Sequence, residues 1–255
     1  MTAPQQVYWT VVEERDGVTF RWGFCGDDLV AEWSGIMSLR ATRSGELKAL
    51  QPAPGAPSDL VEKTRQGSAT AFLRAQQRQH ALHASAVAWE GKALVCVGAS
   101  GLGKSTMAER MCRHPGVELL ADDMAAIELA PGGGAYVVPS ESALWLAQQG
   151  SCVKKPVNPP RHAVLPTALR CIIALVLDDA ARSLELRDLR GGNAVSALLP
   201  SLVRFERTSA LWARELDFLS QLVSQARIVQ ERRSHDIHAD ELAMALLTFL
   251  TGGAK

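Results

Sequence analysis

The sequence has no excess charge of either sign. Its 255 residues carry 27 Lys and Arg against 27 Asp and Glu, for a formal net charge of zero. A whole-molecule basic field that attracts nucleic acid is therefore excluded, although a local patch is not. Aromatic residues are scarce at 5%, yet 47% of the chain is hydrophobic. That share excludes a disordered chain and suffices for the core of one or two domains.

Long apolar runs are also missing from the sequence. The longest aliphatic run, residues 172–177, is far shorter than the ~20 residues that span a bilayer. Residues 1–6 show no basic start followed by an apolar stretch, so we expect no signal peptide. We therefore expect no membrane partner and, from charge, no nucleic-acid partner.

Paired cysteines are absent as well. Cys25, Cys96, Cys112, Cys152 and Cys171 are scattered and odd in number, and none has Cys-x-x-Cys spacing. We interpret them as reduced thiols that behave as small hydrophobic side chains. This interpretation predicts a cytoplasmic protein.

The first eighty residues have the pattern of a β-rich region. Strands are predicted over residues 7–14, 18–24 and 29–33, with turns at 16–17 and 26–28, as in an antiparallel meander. The Pro- and Gly-rich residues 51–57 predict a linker. Residues 58–77 predict a helix that Ser58 can cap. We assign residues 1–80 to this N-terminal region and 81–255 to a second domain.

The pattern changes near Leu82, where strands and helices begin to alternate. Strands are predicted over 93–97, 117–121, 172–177 and 184–189, and a helix over 105–112. Two helical stretches, 211–226 and 239–250, end the chain. Residues 156–160, with three prolines, predict a loop.

The strongest functional signal is the segment GASGLGKS at residues 98–105, which fits the P-loop pattern G-x-x-x-x-G-K-[ST]. The glycines let successive backbone N–H groups point at phosphate oxygens, and the following helix adds its positive dipole end. Lys104 is expected to bridge the outer phosphates, and Ser105 to bind Mg²⁺. The strand before and the helix after the loop favour ATP binding. The residues expected to contact nucleotide are Gly98, Ser100, Gly101, Gly103, Lys104, Ser105 and Thr106.

Three further residues flank the loop at informative places. His83 lies fifteen residues before Gly98, and Asp122 and Asp123 follow a predicted strand. Ligands bind outside the carboxyl ends of strands in α/β sheets, so these aspartates are well placed. Adjacent residues of an extended segment point to opposite sides, so one aspartate can face an acceptor and the other a metal or backbone group. A carboxylate near a hydroxyl group that is to accept a phosphate can orient that hydroxyl and take its proton.

Three segments together resemble the catalytic core of the HPr kinase/phosphorylase superfamily. They are His-Ala-Ser at residues 83–85, the loop at 98–105 and Leu-Leu-Ala-Asp-Asp at 119–123. That family phosphorylates a serine of a small carrier protein and is related in fold to phosphoenolpyruvate carboxykinase. The resemblance covers residues 80–130 well and 136–190 loosely. It implies an α/β fold with a P-loop core, a small β-rich N-terminal region and C-terminal helices. It also implies that Lys104, His83 and Asp122 are catalytic and that Ser105 and Asp123 hold metal, with the order of the two aspartates left open.

The sequence departs from the full-length family in three respects. Its N-terminal region is shorter, Ser105-Thr106 stands where the family has Ser-Glu, and no downstream segment matches the signature of the reverse reaction. In these respects it looks like the short HPr-kinase-like proteins that tailor peptides, including lasso-peptide precursor kinases. The first hypothesis is therefore an ATP-dependent kinase of a serine-type hydroxyl on a peptide or small protein. The alternatives are a small-molecule kinase and a non-catalytic nucleotide-binding switch, and a homo-oligomer is left open.

The remaining candidates favour structural roles. Glu141 is predicted to sit at a helix N-terminus, with a place near the metal as the alternative. Lys154-Lys155 and residues 232–236 are predicted to be solvated charges, with phosphate or peptide binding as the alternative. Ser85 is given a packing role only. The tryptophans predicted to lie in the core are Trp22, Trp33, Trp145 and Trp212.

Overall fold

The computed structural model describes residues 6–15, 17–147, 154–206, 208–234 and 236–250. Of the positions singled out in the sequence, residues 1–5, Asp16, Cys152 and His235 (within the cluster 232–236) lie outside these ranges. The chain is a mixed α/β protein that divides into two compact units. One unit is Met1–Gln79 with Arg204–Arg207, and the other is His80–Val203 with Thr208–Lys255. Within the described ranges, no helix is long and apolar enough to cross a membrane.

The first unit contains an antiparallel meander in which each strand pairs with its chain neighbour. The strands are β1 (Tyr8–Arg15), β2 (Val18–Cys25), β3 (Asp28–Trp33), β4 (Met37–Ala41) and β5 (Leu47–Pro52). The predicted meander is therefore confirmed and extended by two strands. The predicted linker is too long by two residues, because β5 includes Gln51 and Pro52. A proline is tolerated there because β5 is an edge strand.

A helical segment follows the meander, as predicted, but its start differs. It consists of α1 (Ser58–Thr64), a π-helical turn (Arg65–Ala69) and α2 (Thr70–Gln76). Ser58 does not cap it, because Pro57 occupies the N-cap position and no side chain caps the first N–H groups. Phe72 of α2 is fully buried, and its ring contacts a cluster of aromatic rings that forms the core of the unit: Phe20, Trp22, Trp33 and Phe205.

The second unit is organised around a larger mixed sheet of eight strands. Its strands are β6 (His80–Trp89), β7 (Lys92–Val97), β8 (Glu118–Ala121), β9 (Met124–Leu129), β10 (Ala135–Val138), β13 (Thr167–Leu177), β14 (Glu185–Leu189) and β15 (Arg227–Arg233). The order is β10-β9-β6-β7-β13-β15-β14, with β8 beside β6. β7, β13 and β15 run parallel. A separate hairpin joins β11 (Leu144–Ala147) to β12 (Lys154–Val157).

Helices cover both faces of this sheet. The remaining helices are α3 (Lys104–Cys112), α4 (Gly191–Leu198), α5 (Ser209–Gln225) and α6 (Ala239–Leu250). Successive side chains of a strand point to opposite faces. Val95 accordingly packs in the cluster that includes α4 and α5, whereas Leu94 packs in the cluster that includes α3 and α6. The sheet is therefore buried on both sides, and its strand ends are left to form a site.

Four sequence predictions for this unit are wrong. The predicted loop over residues 156–160 starts too early, because residues 156 and 157 belong to β12. Lys154 and Lys155 on that strand are exposed, in agreement with the prediction of solvated charges. Arg232 and Arg233 end the interior strand β15, which no pattern predicted. Glu141 follows β10 in an irregular segment, not at a helix N-terminus. Trp212 is 40% exposed on α5, because the apolar stripe of that helix lies on its other side.

The thiols of this unit behave as predicted. Cys96, Cys112 and Cys171 are buried thiols that form no disulfide, and Cys25 in the first unit is likewise a buried thiol outside any disulfide. Burial raises the pKa of Cys112 and of Cys171 to about 12. A thiol with so high a pKa is inert at neutral pH, so these cysteines act as small hydrophobic side chains.

Candidate active site at the loop after the seventh strand

The loop after β7 has the strand–loop–helix arrangement that the sequence motif predicts. β7 ends at Val97, and α3 begins at Lys104. Gly98, Gly101 and Gly103 have φ angles of 146°, 87° and 85°. L side chains rarely adopt such angles, so the path of the loop requires glycine at the two motif positions, 98 and 103, and also at position 101 between them.

The loop leaves the sheet where the carboxyl ends of parallel strands meet. β13 and β15 end side by side, with Leu177 opposite Arg233. A Cβ added at Gly98 would lie 3.1 Å from the carbonyl oxygen of Leu175 in β13 and 3.0 Å from Leu102 Cδ1. The first glycine therefore also permits the loop to pass close to β13. Ligands of α/β sheets bind at such an edge.

Lys104 is buried at the start of α3, with only 8% of its surface exposed. Its Nζ donates hydrogen bonds to Gly98 O at 2.8 Å and to Ala99 O at 3.1 Å. Burial lowers the pKa of Lys104, and the nearby Asp123 carboxylate opposes that effect. The ammonium group is thus held against the first residues of the loop.

Asp122 is buried and has partners on both carboxylate oxygens. Ser85 Oγ donates to its Oδ1 at 2.6 Å, and the backbone N–H of Trp145 donates to its Oδ2 at 2.9 Å. The backbone N–H of Asp122 in turn donates to Glu141 Oε2 at 3.1 Å. Ser85, which the sequence assigned to packing, therefore holds this carboxylate in place. Asp122 ties β6, β8 and β11 together.

Asp123 has different surroundings from its neighbour. Its φ of 86° places it in the left-handed region, so the predicted extended pair is instead a turn. His83 Nδ1 lies 3.2 Å from Asp123 Oδ1, and both side chains are partly exposed. Burial lowers the pKa of His83 more than Asp123 raises it, so the ring is neutral at pH 7. A neutral imidazole beside a carboxylate can orient it and share a proton with it.

One cavity of about 470 Å³ brings most of the predicted site residues together. Eight residues that the sequence predicted for the site line this cavity: His83, Ser100, Gly101, Gly103, Lys104, Ser105, Thr106 and Asp123. The cavity is also lined by Ser85, Trp145, Leu146 and Lys154. Of these four, only Lys154 has phosphate binding as an alternative role in the sequence analysis. Gly98 lines a neighbouring cavity instead. Asp122 lines neither of these two cavities.

The cavity suits a phosphate chain with a hard cation. The Ser105 hydroxyl would hold Mg²⁺ there, an ion that usually takes few protein ligands and completes its shell with phosphate and water, while the Asp123 carboxylate faces the same cavity. Among the residues the structure describes, no group of three or more His, Cys, Asp or Glu could hold a metal alone. The donor set therefore fits a cation that arrives with a nucleotide.

Glu141 is a buried residue that is hydrogen-bonded to the backbone of the turn at Asp122 and Asp123. It is 5% exposed and accepts hydrogen bonds from Ser140 Oγ and from the Asp122 N–H. Burial raises its pKa well above the usual range, and Asp122 adds to the effect. In the described part of the chain its Oε1 has no hydrogen-bond partner. A protonated Glu141 would avoid an uncompensated buried charge.

Glu141→Gln is expected to reduce the pH dependence of stability. Because the folded state raises the pKa of Glu141, it binds this proton more tightly than the unfolded state does. The stabilisation is complete below the unfolded pKa and is lost as pH rises through the folded pKa. Urea unfolding from pH 4 to 9, a range that starts near the ordinary glutamate pKa of 4.5, should show a smaller fall in the free energy of unfolding for the variant than for the wild type. Glu128→Gln, at an exposed position of β9, is the control, and equal slopes in all three proteins would contradict this account.

A buried ion pair on β15 is hydrogen-bonded to the loop and holds it in place. Arg233 Nη1 lies 2.5 Å from Glu231 Oε2, and Arg233 Nη2 donates to Leu102 O of the loop at 2.9 Å. Glu231 is fully buried, and Arg233 is 8% exposed. Burial raises the pKa of Glu231, and Arg233 opposes that effect. The sequence placed Arg233 in a charged surface cluster, whereas here it positions the loop.

Arg233→Met is expected to destabilise the fold by about 3–5 kcal/mol, because it leaves the Glu231 carboxylate buried without a partner. The double variant Glu231→Leu with Arg233→Met should recover most of that loss. The double variant should still bind ATP more weakly than the wild type, because Leu102 O has lost its hydrogen-bond donor. Urea unfolding and calorimetric titration with ATP measure the two effects. Arg232→Met, whose partner Asp178 is at the surface, should change both far less, and a comparable effect there would refute the bracing role.

The comparisons with known proteins give a distant likeness in fold. The sequence matches no protein-family model, and no curated protein matches it. The fold is similar to a solved structure described as the HPr(Ser) kinase/phosphatase from Coxiella burnetii, with a TM-score of 0.42 and 12% sequence identity. That match covers 68% of this chain and 95% of the other.

Proposed function

We propose that this protein transfers the terminal phosphate of ATP to a serine-type hydroxyl of a peptide or small protein. The glycine-requiring loop, the buried lysine and the Ser105 hydroxyl support triphosphate binding in the cavity. A binding protein needs no more than these groups. The observation that carries the proposal is a partly exposed carboxylate, Asp123, which shares that cavity with Lys104 and His83.

In this proposal Asp123, rather than Asp122, accepts the proton of the acceptor. Both oxygens of Asp122 already accept hydrogen bonds within the fold. Asp123 has one oxygen beside His83, and its carboxylate lines the cavity. Asp122 is then a positioning residue that fixes the turn from which Asp123 projects. His83 holds the Asp123 carboxylate in the orientation that transfer needs.

The reaction follows from these positions. Asp123 orients the acceptor hydroxyl and takes its proton as the new oxygen–phosphorus bond forms and the bond to the ADP oxygen breaks. Lys104 neutralises charge on the outer phosphates, and the start of α3 presents unpaired N–H groups to the chain of phosphates. Mg²⁺, when bound at Ser105, would withdraw charge from the phosphate oxygens. Positioning and electrostatics supply most of the catalysis in such reactions.

The proposal is tested by offering ATP and Mg²⁺ with a panel of acceptors. The panel holds serine-containing peptides, an HPr-like carrier protein, free serine and sugars, and intact-mass spectrometry scores each for an added phosphate. Phosphate on a peptide or on the carrier, lost in Lys104→Ala and in Asp123→Asn, is the expected result. Transfer to a small molecule alone would contradict the peptide or protein acceptor and support a small-molecule kinase. ATP binding with no transfer to any acceptor would leave a nucleotide-binding switch.

A further inference from the structure

A second cavity, of about 580 Å³, adjoins the first. It is lined by the first loop residues Gly98 and Ala99, by the end of β13 at residues 174–177, and by Ala197 of α4. Its volume falls within the range of about 300–1,000 Å³ that is usual for small-molecule sites. The two cavities share two lining residues, His83 and Ser100. They therefore meet at these residues.

The lining of this second cavity is aliphatic with few polar groups. Besides His83 and Ser100, its polar residues are Ser201 and Gln230. Among the described residues that line it, none is Lys, Arg, Asp or Glu. A charged ligand group placed here would lose hydration without gaining an ionic partner, which is costly. The cavity thus suits an uncharged group with an apolar skeleton.

The position of Lys104 shows which end of a nucleotide this cavity would face. The lysine of a P-loop reaches the outer phosphates, whereas the start of the helix holds the inner ones. Here its Nζ lies against the carbonyl groups of Gly98 and Ala99, two residues that line the second cavity. The terminal phosphate would then lie at this end of the loop. The nucleobase, attached beyond the inner phosphates, would lie at the far end.

We propose that the second cavity receives the uncharged, apolar part of the phosphate acceptor, next to the hydroxyl that reacts. This inference rests on the proposed function and narrows its substrate class. The favoured acceptor is an alcohol flanked by apolar groups, such as a serine within an apolar peptide segment. Free amino acids and sugar phosphates are disfavoured because they would bring charge into the cavity. From there, the hydroxyl would pass His83, where the two cavities meet, and contact Asp123 in the first cavity.

A binding experiment tests the cavity apart from catalysis. The neutral fluorescent probe N-phenyl-naphthylamine is titrated into the wild type, Ala197→Phe and Ser196→Phe, with and without the ATP analogue AMP-PNP. Ala197 lines the cavity, whereas Ser196 is exposed on the same helix and does not. We expect about tenfold weaker binding only in Ala197→Phe, with the probe retained when AMP-PNP is present. Absent binding, equal binding by Ala197→Phe, or displacement by the analogue, which would indicate a nucleobase site, would each overturn the proposal.

A transfer experiment then tests the acceptor class. Blocked pentapeptides with a central serine flanked by leucines, aspartates or lysines are compared as acceptors. The leucine peptide is expected to have about tenfold higher kcat/KM than the charged ones. Ala197→Phe should remove that advantage while leaving the KM for ATP unchanged. Equal or better use of a charged peptide would contradict the inference, whereas failure of all transfer with the expected probe binding would overturn the proposed function and uphold the apolar site.

Discussion

Lys104→Met should weaken ATP binding about 100-fold or more and abolish phosphate transfer. The ammonium is the only basic side chain contributed by the loop segment 98–105, and the start of α3 fixes it. Its loss removes charge-assisted hydrogen bonds to the outer phosphates, each stronger than a neutral bond. A 100-fold change corresponds to about 2.7 kcal/mol of binding free energy. Isothermal titration with ATP and Mg²⁺ measures it.

The control for Lys104→Met is Lys92→Met. Lys92 begins β7 at an exposed position and lines neither cavity. It should bind ATP as the wild type does. Lys104→Met also leaves Gly98 O and Ala99 O without their donor, so a modest loss of stability is expected alongside. Unchanged ATP affinity in a folded Lys104→Met protein would refute the loop as the triphosphate site.

Asp123→Asn should reduce the transfer rate by about 10²–10⁴-fold, the usual contribution of a positioned general base. Asparagine is nearly isosteric and is among the residues that tolerate the left-handed conformation, so the fold should be retained. With Mg²⁺ present, ATP should still bind. Single-turnover transfer measures the chemical step, and thermal unfolding confirms that the variant is folded.

Asp122→Asn provides the matched comparison and is expected to behave in the opposite way. Both oxygens of Asp122 accept hydrogen bonds, from Ser85 Oγ and the Trp145 N–H. An amide group would turn a donor toward one of these donors, so a loss of stability of about 1–3 kcal/mol is expected. Catalysis should fall less than in Asp123→Asn. If Asp122→Asn instead stays stable and loses all transfer, the order of the two aspartates is reversed.

The part of the site that sequence predicts well is local. The strand, the loop and α3 follow one another within about twenty residues, and glycine, lysine and hydrophobic periodicity each specify one of them. Lys104, Ser105 and Thr106 line the cavity because the start of α3 places them there. The meander is local for the same reason, since each strand pairs with the next.

The part that sequence could not predict depends on distant pairs. Arg233 meets Leu102 across 131 positions, and Ser85 meets Asp122 across 37. Nothing near Arg233 in the chain distinguishes a buried brace from a surface charge, because the burial comes from neighbouring strands. β6 was equally hard to see, since its four alanines have low strand propensity. Its burial within the sheet overrides that propensity.

The ordering of the aspartates is a further example. The alternation rule for extended segments predicted that the two carboxylates have different roles, and the structure gives them different partners. The cause is the left-handed turn at Asp123, which a pair of aspartates alone does not reveal. Which carboxylate reaches the cavity is decided by Ser85 and Trp145, whose contacts occupy Asp122.

The most direct test of the account is whether the terminal phosphate lies beside Asp123. ATP and ADP binding to wild type and Asp123→Asn should be compared by calorimetry in EDTA, where no cation screens the charges. Two like charges about 4 Å apart repel by roughly 1–4 kcal/mol, depending on the local dielectric. The account predicts that Asp123→Asn binds ATP about tenfold more tightly than the wild type does, with ADP affinity little changed. An equal change for ATP and ADP, or no change for either, would show that the carboxylate does not face the transferred phosphate.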